Sequence, residues 1–100
     1  ASDVYKRQAY HTVGRLARGE TIGAESSINK IIWSELDLKM HETAMRLLGA
    51  RAELRASAPA AGEAAFWLEG FLFAQAGPIY AGTNEIQRNI IAERMLGLPK

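Results

Sequence analysis

The sequence predicts an all-α fold, an antiparallel helical bundle of three to four helices. Three observations predict it. Apolar residues recur at three- and four-residue steps over most of the chain. No run alternates apolar and polar residues as a half-buried strand does, and Val and Thr are sparse. Gly19, Gly49 and Gly97 fall at the ends of the periodic segments, where helices stop.

In residues 9–18, Tyr10, Val13, Leu16 and Ala17 share one face of a short amphipathic helix, with Arg15 and Arg18 outside. Gly19 closes it, and Thr21, Ile22 and Gly23 connect to the longest helix, residues 24–48. There Ile28, Ile32, Leu36, Met40, Ala44 and Leu47 form a stripe that Ile31 and Leu48 widen, while Lys30, Glu35, Asp37, Lys39 and Glu42 lie outside. So regular a stripe asks for helical partners along its whole length. Residues 50–62 read as an Ala-rich connection in which Ser57 and Pro59 disfavour a helix.

Residues 63–76 are dense in Phe66, Trp67, Leu68, Phe71, Leu72 and Phe73, a helix apolar around almost its whole circumference and expected to be buried on several sides. Gly77 and Pro78 break it, and Gly82 permits a turn or a close approach. Thr83 stands where an N-cap belongs, with Glu85 near the positive end of the helix dipole. The last helix is expected to run to about Leu96, with Ile86, Ile90 and Ile91 inward and Arg88, Glu93 and Arg94 outward; Gly97 stops it and Pro99 bars its resumption.

Composition narrows the function classes. One hundred residues suffice for one small domain with a modest core. A net charge of +1, with no basic cluster beyond Lys6 and Arg7, gives no reason to expect nucleic acid or an anionic membrane. With no cysteine there is neither disulfide nor thiolate metal site. No apolar run approaches the roughly 20 residues of a membrane span, and a cytoplasmic location is the default expectation. His11 and His41 lie on separate helices without a ligand cluster at metal spacing, so both read as surface or satisfied structural groups and no metal site is expected. No serine sits in a nucleophile-elbow pattern.

A helix start beside a glycine turn can be a simple cap or a seat for a phosphate-bearing cofactor, and physics alone leaves both open. The segment Tyr80-Ala81-Gly82-Thr83-Asn84-Glu85-Ile86-Gln87-Arg88-Asn89-Ile90-Ile91-Ala92-Glu93-Arg94, followed by Leu96-Gly97-Leu98-Pro99, resembles the closing signature of the acyl-CoA dehydrogenases. These are flavoproteins that introduce a double bond between the α and β carbons of acyl-CoA thioesters. The resemblance reaches back, more loosely, to about Ala9. It implies that residues 9–100 are an incomplete C-terminal helical domain, and that the whole enzyme adds an N-terminal helical domain, a middle β domain and the first part of this bundle. It further implies FAD as cofactor, acyl-CoA as substrate in fatty acid β-oxidation, a homotetramer or a heteromer with related subunits, and electron-transfer flavoprotein as acceptor. The fragment alone is expected to be inactive.

Residue by residue, the resemblance places Thr83, Asn84 and Glu85 against FAD, and Gly82 and Tyr80 beside the thioester substrate. At the end of the long helix many members carry Gln-x-x-Gly-Gly, which meets the FAD of a neighbouring subunit; here the run is Arg46-Leu47-Leu48-Gly49-Ala50, and only Gly49 keeps the pattern. Arg46 can still meet a phosphate, or it can be an exposed residue at a helix stop.

The main departure is Ala81, where many members have the glutamate that removes the α proton. Proton abstraction needs a carboxylate in reach, and alanine has none. Either the base comes from an earlier helix, upstream of Ala9, or the chain belongs to a noncatalytic subunit or helical interaction module. A flavoprotein oxidase or monooxygenase of the same fold is a third reading. Residues 1–8 show no apolar periodicity and stand outside the resemblance. Asp3 to Gln8 resembles the read-through of a transposon end, so the segment reads as a non-native scar marking a missing N-terminus, or else as a natural, poorly ordered turn.

Overall fold

The computed structural model describes residues 2–100 and, for Ser2 and Tyr5, the backbone alone. Among the described residues there are four α-helices, α1 (Ser2–Ala17), α2 (Glu25–Leu48), α3 (Ala64–Ala74) and α4 (Asn84–Arg94), with a 3-10 turn at Gly49–Glu53 and no strand. The fold is all-α, as the periodicity requires. The chain divides into two compact units, one drawn from residues up to Trp33 and from Ala81–Lys100, the other from Ser34–Tyr80.

In the first unit α1 and the start of α2 run antiparallel. Asn29 Nδ2 donates to Thr12 Oγ1 (3.0 Å), and one turn further along α1 Arg15 Nη1 donates to Glu25 Oε1 (2.7 Å). Arg15 Nε also donates to Glu20 Oε2 (3.0 Å) and Nη2 to the Thr21 carbonyl (3.1 Å), while Arg18 Nε donates to Glu20 Oε1 (2.8 Å). Arg15 is therefore not a free outer residue: it ties the connection between α1 and α2. Gly19, at φ +73°, makes the reversal that lets it do so.

The start of α1 differs from expectation, since the helix begins at Ser2 rather than near Ala9. Lys6, Arg7 and Gln8 are good helix formers with no apolar face, and Asp3 lies in the first turn, where a carboxylate favours the positive end of the dipole. Propensity extends the helix where periodicity gives no signal. Ala1 lies outside the described residues.

In the second unit the rest of α2 and α3 also run antiparallel, with Ser34 against Gly77 and His41 against Gly70 and Trp67. Ser34 and Gly77 meet closely because both are small. Ser34 is fully buried, as are Ala61, Ala64 and Ala74 to within 1%, and a Cβ on Gly77 would lie 3.4 Å from that of Ser34. The expectation that α3 is buried on several sides is not met within this chain: Phe66 and Phe73 are 70% and 73% exposed, and Leu72 is exposed too. Trp67 of α3 packs on His41, while the side chains of Phe66, Leu72 and Phe73 are left exposed. α3 ends at Ala74, two residues early, in tight turns where the amides of Ile79 and Tyr80 both close on the Ala76 carbonyl.

His41 is a satisfied structural group. Its Nδ1 lies 2.9 Å from the Asp37 carbonyl and 3.4 Å from Asp37 Oδ1, and its ring packs on Trp67 at a centroid distance of 5.7 Å. His11 is exposed. Among the described residues no three His, Asp or Glu side chains gather as a metal site would need, and no helix is long and apolar enough to cross a membrane.

Candidate functional site

Most residues singled out in the sequence surround the opening of α4. The Thr83 hydroxyl accepts from the Ile86 amide (3.3 Å), so it is the N-cap that the sequence predicts. The helix ends where Gly97 adopts φ +68° and the Leu98 amide closes on the Ala92 carbonyl (2.9 Å). Ile90 and Ile91 are half-buried, but Ile86, expected inward, is 51% exposed. It sits in the first turn, on the open side of the cap.

Immediately before the cap, two successive residues are left-handed: Ala81 at φ +55° and Gly82 at φ +87°. Ala81 is the sole non-glycine with positive φ among the described residues. The Gln87 side chain reaches back along α4, and its Nε2 donates to the Ala81 carbonyl (2.9 Å). A Cβ on Gly82 would stand 2.8 Å from that same nitrogen. Gly82 is thus required twice, by its dihedral and by the carboxamide beside it.

Asn84 is 3% exposed, and its Oδ1 accepts from Lys30 Nζ of α2 at 2.7 Å. Its side chain is committed within the protein, so its backbone is what it offers a ligand. Ala81, Gly82 and Glu85 are exposed. The opening of α4 therefore presents first-turn amides at the positive end of the dipole, an uncovered glycine and one free-standing carboxylate. That set suits a polar ligand with both acceptors and hydroxyl or amine donors, and so fits a flavin nucleotide.

The remaining candidates lie in the second unit. Arg46 is exposed in the last turn of α2, and Gly49, at φ +58°, turns the chain there into the 3-10 turn. Tyr80 is 42% exposed at the end of the turns that follow α3. Two grooves of about 360 and 370 Å³ also lie in this unit, the first lined by Met40, Thr43, Ala44, Leu47, Leu48 and Trp67 and the second centred on Arg55, Leu68 and Leu72. Neither contains a residue that the sequence singled out as a cofactor or substrate contact. The groove at Trp67 is where the stripe of α2 meets α3.

The model of the acyl-CoA dehydrogenase C-terminal domain matches residues 2–96. The chain belongs to this family. Acyl-CoA dehydrogenase IpdE1 of Mycobacterium tuberculosis is 40% identical over 76 residues, which are 76% of this chain and 19% of that protein. The IpdE1 of Mycolicibacterium smegmatis is also 40% identical over 76 residues, 18% of its length. Among solved structures, a chain of the ChsE4-ChsE5 complex from Mycobacterium tuberculosis superposes with a TM-score of 0.82 at 28% identity, over 98% of this chain and 25% of that one. The chain thus spans about a fifth of the curated acyl-CoA dehydrogenases it matches. The family match begins at residue 2, inside the segment that the sequence resemblance left out.

Three features of the opening were not read from the sequence. The left-handed Ala81 carries no mark, because alanine, unlike glycine or asparagine, does not announce positive φ. Gln87 reads as one more polar position of α4, although a Gln five residues after a turn glycine is within reach of the turn's carbonyls. Lys30 reads as an outer residue of α2, and its partner lies 54 positions away.

Proposed function

We propose that the chain is part of an FAD-dependent acyl-CoA dehydrogenase that introduces an α,β double bond into acyl-CoA thioesters. The observation that carries this reading is the opening of α4, where the family's closing signature is folded as an exposed, glycine-preceded helix start. FAD, when bound, supplies the acceptor for the β hydrogen and its electron pair. Thr83, Asn84 through its backbone, and Glu85 would contact that cofactor, while Arg46 and Gly49, at the end of α2, would meet the FAD of a neighbouring subunit. Gly82 and Tyr80 form part of the pocket wall beside the thioester.

The α proton requires a base, and the methyl of Ala81 cannot accept it. In this reading Glu85 faces the cofactor rather than the α carbon, and the base would be a carboxylate on an earlier helix of the same domain, upstream of Ala9. A noncatalytic subunit of a heteromer is the second reading. The likeness to a chain of the ChsE4-ChsE5 complex, whose name joins two different proteins, supports keeping it. For the enzyme reading, the assembly is a homotetramer or a heteromer, electron-transfer flavoprotein is the acceptor, and the location is cytoplasmic.

The test is product analysis on the full-length protein. Purified protein is expected to release FAD on denaturation and, with an artificial electron acceptor, to convert an acyl-CoA into a product lighter by two hydrogens. Stoichiometric FAD with no such product for any acyl-CoA supplied would favour the noncatalytic subunit, and absence of FAD would refute the enzyme reading.

A further inference from the structure

We infer that Gln87 is a positioning residue, a clasp that holds the left-handed Ala81–Gly82 pair and so fixes the backbone presented to the cofactor at the opening of α4. The inference rests on the flavin reading of this opening and adds the residue that keeps it in shape.

The geometry has three parts. Gln87 Nε2 donates to the Ala81 carbonyl at 2.9 Å, across six residues and back over the cap. The Gln87 backbone is itself fixed, because its amide donates to the Thr83 carbonyl at 2.9 Å, in the first turn of α4. The residue so held is an alanine at φ +55°, a conformation that an L residue with a Cβ enters at a cost unless its surroundings impose it. The carboxamide also fills the space that a side chain on Gly82 would need. Nothing in the cap requires this bond: Thr83 closes the helix on Ile86 without it. Its effect is instead on the two residues before the cap, which are exposed and which border the proposed thioester and flavin contacts.

A glutamine suits the role because its amide is a neutral donor that reaches a carbonyl, whereas a carboxylate would be repelled by it and methionine, of similar length, cannot donate. Without the clasp, Ala81 is expected to leave the left-handed region and carry the Gly82 amide with it. Glycine at position 81 enters that region freely, so Ala81→Gly should offset the loss of Gln87.

The experiment uses the full-length protein and its variants Gln87→Met and Gln87→Met/Ala81→Gly. Crystal structures read the φ of residue 81, and the visible absorbance band and dissociation constant of FAD read the site. The expected results are a negative φ for Ala81 in Gln87→Met, with FAD affinity about tenfold weaker and a displaced flavin band. In the double variant, positive φ and most of the affinity return. A positive φ at Ala81 in Gln87→Met, or weakened binding that the double variant fails to restore, would overturn the inference. Failure of the parent protein to bind FAD refutes the flavin reading instead, and the φ of residue 81 still decides the clasp.

Discussion

Lys30 Nζ lies 2.7 Å from Asn84 Oδ1, a charge-assisted hydrogen bond that joins the first half of α2 to the first residue of α4. Asn84 is 3% exposed, so the residue that opens α4 is anchored by a lysine the sequence places on an outer face. Replacing Lys30 by methionine keeps the aliphatic stem and removes the donor. The expected cost is about 1–3 kcal/mol of stability, measured by denaturant unfolding of the full-length protein, with weaker FAD binding alongside it. An unchanged unfolding midpoint would show that the anchor contributes nothing.

The cap offers a second prediction. Thr83→Ala removes the acceptor for the Ile86 amide and is expected to cost about 1 kcal/mol, whereas Thr83→Ser retains the acceptor and should stay near the parent. Thermal unfolding of the three proteins separates loss of the cap from a general effect of substitution.

Gly70 and His41 make the third. A Cβ on Gly70 would overlap the imidazole ring, which is pinned by Asp37 and Trp67 and cannot simply swing aside. Gly70→Ala is expected to destabilise by about 1–3 kcal/mol through overpacking. In a His41→Ala background the same change should cost much less. Equal costs in both backgrounds, read from a double-mutant cycle, would exclude the clash as the cause.

Acid stability gives the fourth. The hydrogen bonds from Arg18 and then Arg15 hold the Glu20 carboxyl below its ordinary value of 4.5. Glu25 is also held low, first by its own backbone amide and then by Arg15, and the two carboxylates raise the pKa of Arg15 in turn. A carboxyl whose folded pKa is depressed contributes stability that is present above its unfolded pKa and lost as pH falls through the folded one. The first unit should therefore lose stability on acidification from about pH 5 downward. Arg15→Gln should lower stability at neutral pH and flatten that decline, as followed by denaturant midpoints across pH. A decline as steep as the parent's would mean that Arg15 is not what holds these carboxylates low.

The fold was legible where local chemistry decides it. Thr83, Gly97 and Gly49 carry their roles in their side chains, or in the lack of one, and α2 begins within one residue of its predicted start. The start of α1 was not legible, because Lys6 to Gln8 favour a helix without showing a periodic face. Burial was the least legible property. Periodicity marks which face is apolar but not what covers it, so Phe66, Phe73 and Ile86 are exposed in this chain although their pattern is that of buried residues. At the candidate site, the motif located the opening of α4, while the contacts that shape it were not read: Lys30 to Asn84 joins residues 54 positions apart, and Gln87, though near Ala81 in sequence, reads as one more polar position of α4.

In the proposed reading the protein oxidises acyl-CoA through a bound flavin although Ala81 supplies no base. Anaerobic titration of the flavin-loaded, full-length protein with a panel of saturated acyl-CoA thioesters tests this. Loss of the oxidised flavin absorbance is expected with at least one of them. Absorbance retained with every thioester, in a protein carrying stoichiometric FAD, would contradict it.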